Sequence, residues 1–425
     1  MTANRRLLDD CFLTDKERMT HEEALALILD RVGPVATAET VPVIDAGGRV
    51  LAETVLAPRD VPLSDNAAVD GYAYGSASFE ATGGFFPVID RVAAGHRRAA
   101  PVPPGAAVRI FTGAAMPAGT DTVAMQEDCE THAQDGAAFV IVPPGLKPGA
   151  NRRRAGEDLK AGTLVMGEGT RLRPQDVAAL ASLGRETVAV RRRLKVAILS
   201  TGDEIVRAGQ PIEPGQVYDS NHALITSLLG KAGADVTDLG VLPDRFEAIR
   251  DAIVAAAATH DVIITSGGAS RGEEDHVVTA LDEVGRRHLW QIAVKPGRPM
   301  TLGQVGDCVF LGLPGNPVAV FACFLLYGLP LLSRLEGASW REPVRYPLPA
   351  AFEIRSKKPD RREFLRAILV SGDDGTLRVE KFARDGSGLI TGLREADGFV
   401  DIPEPVTSVK AGDLVAFMPF AGFFP

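Results

Sequence analysis

From residue 194 to about residue 335 the chain alternates short apolar runs with helical patterns, which restricts this stretch to a doubly wound α/β unit. LKVAILS (194–200) reads as a strand and SNHALITSLLGKAG (220–233) as a helix opened by Ser220. VTDLGVL (236–242) is the next strand, DRFEAIRDAIVAAAA (244–258) the next helix, and DVIITSG (261–267) the third strand. LWQIAV (289–294), MTLGQV (300–305) and CVFLGL (308–313) follow. Such sheets bind ligands beyond the carboxyl ends of their strands. The polar residues fall there: Asp203 and Glu204 in STGDE, Asp244 after Pro243, SGGASRGEED (266–275), Lys295 and Arg298 in KPGRP (295–299), and LPGNP (313–317).

The third of these loops is the most telling. A buried strand runs into Ser266, Gly267 and Gly268, then a basic residue and the carboxylates Glu273, Glu274 and Asp275. Paired glycines let backbone N–H groups approach a ligand, and a helix start favours negative charge. Carboxylates beside an anion site make sense where a hard cation bridges the two. The segment therefore suggests a phosphorylated or oxyanionic ligand handled with magnesium. It fits equally well an ordinary βα loop whose acids cap a helix. Other chemistries are missing: there is no GxxxxGK[ST], no GxGxxG after the first strand, no GxSxG, and no histidine pair at metal-binding spacing.

Elsewhere, residues 20–31 place Ala24, Leu25, Ile28 and Leu29 at helical spacing behind a Thr20 cap with Glu23 three residues on. From about 40 to 150, short Val/Ile/Ala runs alternate with Pro/Gly clusters, which predicts a β-rich segment. PQDVAALASLG (174–184) predicts a short helix, and after Arg341 strands and turns return. A length of 425 residues implies about two to four domains. The net charge of −9 argues against a nucleic-acid or anionic-membrane partner. Cys11, Cys129, Cys308 and Cys323 form no CxxC pair and fit reduced thiols in a cytoplasmic protein. The apolar run 318–332 is short for a bilayer and interrupted by Gly328 and Pro330, so it reads as a buried helix. The arginine triplets 152–154 and 191–193 read as solvated faces or domain-interface pairs.

Eight segments in order resemble the molybdopterin molybdenumtransferase (MoeA) family: SDNAAVDGYA (64–73), RIFTGAAMPAGTDTVAMQED (109–128), NRRRAGEDL (151–159), STGDE, YDSN (218–221), SGGASRGEED, KPGRP and GLPGNP (312–317). The resemblance implies four domains. These are a discontinuous elongated domain (14–60 and 151–193), a β-rich insert (61–150), the α/β molybdopterin-binding domain (194–338) and a C-terminal β-barrel-like domain (339–425). It also implies a Mg2+-dependent reaction in which adenylylated molybdopterin and molybdate give molybdenum cofactor and AMP. A homodimer is expected, with a molybdopterin adenylyltransferase and apo-molybdoenzymes as possible partners. The alternatives are an adenylyltransferase, disfavoured by the N-terminal motifs, and a non-catalytic scaffold.

By the same resemblance, Asp244 and Asp275, with Glu204 beside them, are the acids nearest magnesium and the pyrophosphate. Ser266, Gly267 and Gly268 cradle the pterin phosphate, and Pro314, Gly315, Asn316 and Pro317 close the same pocket. Lys295 and Arg298 hold the oxyanion; the family usually has Lys at the second place, and Arg supplies a planar fork instead. Asp70 is an essential acid from the partner subunit, and Thr112 and Asp158 are further catalytic positions. Arg361 and Ser387 approach molybdate, with Asp385 standing where the family generally has Gln.

Overall fold

The structure is a computed structural model that describes residues 18–134, 136–267, 276–297, 299–384 and 386–424, leaving aside the side chains of Leu289 and Trp290. The chain divides into two compact units, one formed by residues 1–53, 168–177 and 186–425 and the other by residues 54–167 and 178–185.

The larger unit holds the doubly wound sheet. Its strands run in the order Asp235–Leu242, Lys195–Thr201, Val262–Ser266, Cys308–Leu313, Pro299–Val305, Arg286–Gln291. The first four pair parallel and the last two antiparallel. Strand alternation sends Val196, Ile198, Val262, Ile264, Val309 and Leu311 to one face, where the helices His21–Arg31, Ser220–Ala232 and Pro317–Glu336 cover them. Ala197, Leu199, Ile263 and Phe310 point to the other face, under Phe246–Ala257 and His276–Val284. The chain leaves Lys195–Thr201 for one neighbour and returns to its other side. The switch point therefore lies where STGDE and Ser266–Gly267 leave the sheet.

A second sheet in the same unit carries the C-terminal strands in the order Val294–Lys295, Arg362–Ser371, Gly398–Ile402, Leu414–Pro419, Tyr346–Pro349, with Leu377–Lys381 also paired to Arg362–Ser371. Val294 and Lys295 lie in parallel register with Arg362 and Glu363. Lys295, the first residue of the KPGRP segment, is thus hydrogen-bonded into the C-terminal sheet. Arg362 is buried and bound bidentately by Asp401, at 2.6 and 2.8 Å.

The smaller unit is β-rich, as expected. Its six-stranded sheet runs Thr122–Met125, Gly71–Tyr74, Ala107–Ile110, Phe85–Val92, Ala137–Ile141, Glu130–Gln134. Ala73, Val108 and Val123 pack on one face, and Tyr74, Ala107 and Ala124 on the other.

The expected helix over residues 20–31 forms behind Thr20, with both halves of a capping box present. The helix expected from Ser220 begins there, with Asp219 before it as the cap, its carboxylate accepting the His222 N–H at 2.9 Å. One helix start differs from expectation: the next helix begins at Phe246 rather than at residue 244. Nor do Gly328 and Pro330 interrupt the apolar helix, which runs unbroken from Pro317 to Glu336 with 83 % of its most apolar window buried. A wider turn at Phe324–Gly328, in which the Leu329 N–H reaches back to Phe324 O, carries the backbone past Pro330, which has no N–H to offer. The described cysteines are free, Cys308 and Cys323 buried and Cys129 partly so. Of the arginine triplets, Arg152 pairs with Asp65, Arg191 with Glu168 and Arg192 with Asp261, while Arg193 donates to Gly233 O.

The first helix also buries His21, 3 % exposed, against Tyr327 Oη at 3.0 Å and the ring of Phe364. Burial, with Arg362 nearby, lowers its pKa to about 4. An unfolded histidine charges near pH 6.5, so the stability from keeping His21 neutral is complete above that value and lost as pH falls towards 4. The loss should reach about 3 kcal/mol. Urea-unfolding midpoints at pH 7.5 and 4.5 should differ less for His21→Gln than for the unsubstituted protein; an equal difference would exclude His21 as the source.

Candidate functional site

At the edge where the two sheets of the larger unit join lies a cavity of about 620 Å³. Six of the residues expected from the sequence line it together: Lys295, Pro314, Gly315, Asn316, Arg361 and Ser387. They come from four separate segments. Lys295 ends the strand paired to Arg362–Ser371, Pro314 to Asn316 follow the central strand Cys308–Leu313, Arg361 precedes Arg362–Ser371, and Ser387 lies in the loop after Leu377–Lys381.

Among the described residues the lining is strongly cationic, with Arg18, Lys295, Lys358, Arg361, Arg366, Lys381 and Arg384 against the single carboxylate of Asp360. Beneath two of these cations sits Glu363, its side chain 8 % exposed. Arg361 donates to Glu363 Oε1 at 3.0 Å, and Lys295 Nζ lies 3.7 Å from Oε2. The parallel register that places Lys295 opposite Glu363 brings these groups together. One buried carboxylate thus orients two cations whose remaining N–H donors stay available to an oxyanion. In a low-dielectric recess such donors act more strongly than in water.

The Pro314–Asn316 turn connects this cavity to the switch point of the sheet. Asn221 Nδ2 donates to Gly315 O at 2.7 Å, and the Gly267 N–H donates to Leu313 O at 3.1 Å. A side chain at Gly315 would stand 4.0 Å from Gly267 Cα. Ser266, 8 % exposed, and Gly267 therefore lie one turn away from the cavity rather than in its wall. Pro317 opens the long helix at the end of the same turn. The Val318 N–H donates to Ser387 O at 3.1 Å, joining the turn to the loop that carries Ser387.

At the neighbouring strand ends, the Asp244 N–H donates to Asp203 Oδ1 at 3.3 Å, so two acidic loops meet. Glu204 lies close over its own turn, where a Cβ on Gly202 would come within 2.7 Å of Glu204 Oε2. Among the described residues no three His, Cys, Asp or Glu side chains form a metal-holding group. Gly268, Asp275 and Arg298 lie outside the described residues, as does Asp385.

In the smaller unit Asp70 and Thr112 are paired: the Thr112 N–H and hydroxyl both donate to Asp70 Oδ1, at 2.8 and 2.7 Å. These two bonds, with Arg109 nearby, hold the Asp70 carboxyl below the usual carboxylate range. Arg109 is itself fixed by Gly71 O at 2.8 Å and lies over the Phe111 ring at 4.5 Å. Asp158 is exposed, and its N–H donates to Val61 O at 3.0 Å.

Sequence reasoning missed Lys358, Lys381, Arg384 and, above all, Glu363. The signal for Glu363 was a carboxylate set directly beside candidate anion-binding arginines in RREF, an arrangement that makes sense only if it orients them. The cations of 381–384 carry no local signal, because the strand pairing of a separate segment brings them to the cavity.

Three family models match the chain in sequence order: the MoeA N-terminal region (domain I and II) over residues 19–184, a probable molybdopterin binding domain over 197–334, and the MoeA C-terminal region (domain IV) over 348–420. The molybdopterin molybdenumtransferase of Haemophilus influenzae is 36 % identical over 95 % of this chain and 98 % of its own length. That of a Nostoc species is 35 % identical, covering 86 % of this chain and 85 % of its own. The crystal structure of the molybdopterin biosynthesis MoeA protein from Pyrococcus horikoshii is 30 % identical, covers 95 % of this chain and all of its own, and superposes with a TM-score of 0.79. With agreement of sequence and fold along nearly its whole length, the chain belongs to the MoeA family of molybdopterin molybdenumtransferases.

Proposed function

We propose that the protein inserts molybdenum from molybdate into molybdopterin supplied in its adenylylated form, releasing AMP and molybdenum cofactor. The observation that carries this reading is the cationic cavity in which Glu363 orients Lys295 and Arg361 at the carboxyl edge of the doubly wound sheet. A tetrahedral dianion such as molybdate matches donors arrayed in this way. Lys295 and Arg361, with Ser387, hold molybdate; Ser266, Gly267 and the Pro314–Pro317 turn bind the pterin phosphate. Arg298 and Gly268 join these two groups by resemblance.

The acids at the strand ends suit magnesium, which is commonly bound by one or two carboxylates together with substrate phosphates. Asp203 and Asp244, whose loops meet, provide such oxygens, and Glu204 and Asp275 complete the acidic set expected from the sequence. The ion, when bound, would neutralise pyrophosphate charge. The chain's own groups position the anion and shield it from bulk water. Asp70, with Thr112 and Asp158, acts in a homodimer, its depressed carboxyl remaining ionised at neutral pH. A molybdopterin adenylyltransferase is the expected supplier of substrate and apo-molybdoenzymes the receivers of product.

AMP release from adenylylated molybdopterin should require both molybdate and magnesium. Lys295→Ala should lower kcat/KM for molybdate by about tenfold to a hundredfold, the cost of one charge-assisted contact. Binding without AMP release under any ion condition would exclude the insertase reading.

If Asp70 of one copy serves the cavity of another, mixing the impaired Asp70→Asn and Lys295→Ala proteins should raise activity to about a quarter of that of the unsubstituted dimer, above either variant alone, because half of a random mixture is heterodimer with one intact site. A mixture no more active than either variant while its subunits exchange would rule out sharing between copies.

A further inference from the structure

Arg366 is a basic residue of the cavity whose guanidinium is already engaged by the protein. It is buried, 7 % exposed, in the middle of Arg362–Ser371. One Nη donates to Leu389 O at 2.8 Å, and the other to Arg384 O at 2.9 Å and Gly386 O at 3.0 Å. Its plane lies against Phe382, 4.8 Å from the ring centroid. A methyl group on Gly392 would press within 2.7 Å of the same guanidinium, so the packing around it is tight.

These three carbonyls lie in the short loop that carries Ser387. In the same loop the Ser387 carbonyl is taken by the Val318 N–H. The loop's acceptors are thus drawn away on two sides. Its donors are not: among the described residues the N–H groups of Ser387 and Gly388 and the Ser387 hydroxyl have no hydrogen-bond partner, and Ser387 lines the cavity. Donors that are fixed before the anion arrives bind it more strongly than donors that must first be ordered.

We propose that Arg366 is a positioning residue for oxyanion binding: by clamping the carbonyls of Arg384, Gly386 and Leu389 it presents the backbone N–H groups of 387–388 and the Ser387 hydroxyl to the anion. Its contribution is geometric, and its charge is secondary. The inference rests on the reading of the cavity as the molybdate site.

Arg366→Lys tests it, because lysine keeps the charge but cannot serve three carbonyls with one planar fork. With molybdate alone as probe, the full-length protein should bind about tenfold more weakly in Arg366→Lys, and no more strongly than in Arg366→Ala. AMP-release assays should show the loss as a raised KM for molybdate with kcat little changed. Without any ligand, hydrogen exchange should quicken at 386–389 in both variants, while thermal unfolding of Arg366→Lys stays close to that of the parent. Lysine restoring the parent's affinity would show that charge alone matters and overturn the proposal, as would unchanged exchange at 386–389. An unsubstituted protein that binds no molybdate but loses loop protection on substitution would refute the assignment of the anion while leaving the clamp established.

Discussion

The shared carboxylate of Glu363 is the constraint on which the site's geometry turns. An exposed lysine and arginine would repel each other and wander; a buried carboxylate between them fixes both and lowers the cost of holding two positive charges side by side. Glu363 can do this because Val294 and Lys295 are hydrogen-bonded in register with Arg362 and Glu363. The backbone pairing of two sheets therefore sets the chemistry of the cavity. The neighbouring Arg362 faces elsewhere, into Asp401, so adjacent arginines divide the work: one prepares the cavity and the other secures the strand that supports it.

Much of this was legible in the sequence because it is local. The period-2 and period-3.6 patterns between 194 and 335 specify the doubly wound sheet, and its topology then places the polar loops at the carboxyl ends. Thr20 and Glu23 announce a helix start through their own hydrogen bonds. Lys295, Pro314 to Asn316, Arg361 and Ser387 were named from motifs and share one cavity.

What was not legible is non-local or depends on competition between adjacent residues. Ser220 and Asp219 are both good caps, and the choice between them is decided by which side chain reaches the His222 N–H. Ser266 and Gly267 look like cavity residues in a motif, yet the Pro314–Asn316 turn stands between them and the cationic wall. Lys381 and Arg384 belong to a segment whose path is set by antiparallel pairing with Arg362–Ser371, more than ten residues away, so no window of sequence reveals where their charges converge. The acidic loop 268–275 was the most suggestive stretch of text, and it lies outside the described residues.

The widened turn at Phe324–Gly328 has a consequence for how this helix can change. A π-type turn holds one more residue than the α-helix would, so it offsets the two halves of Pro317–Glu336 by about 100°. Both halves bury their apolar faces only with that offset: Val320, Ala322 and Cys323 before it, Leu331, Leu332 and Leu335 after it. Losing one residue from this stretch would leave composition and hydropathy almost untouched. It would nonetheless rotate the second half so that Glu336 left Arg171, its ion-pair partner, and the leucines left the core. In this helix, geometry constrains the length more tightly than it constrains the identity of any one side chain.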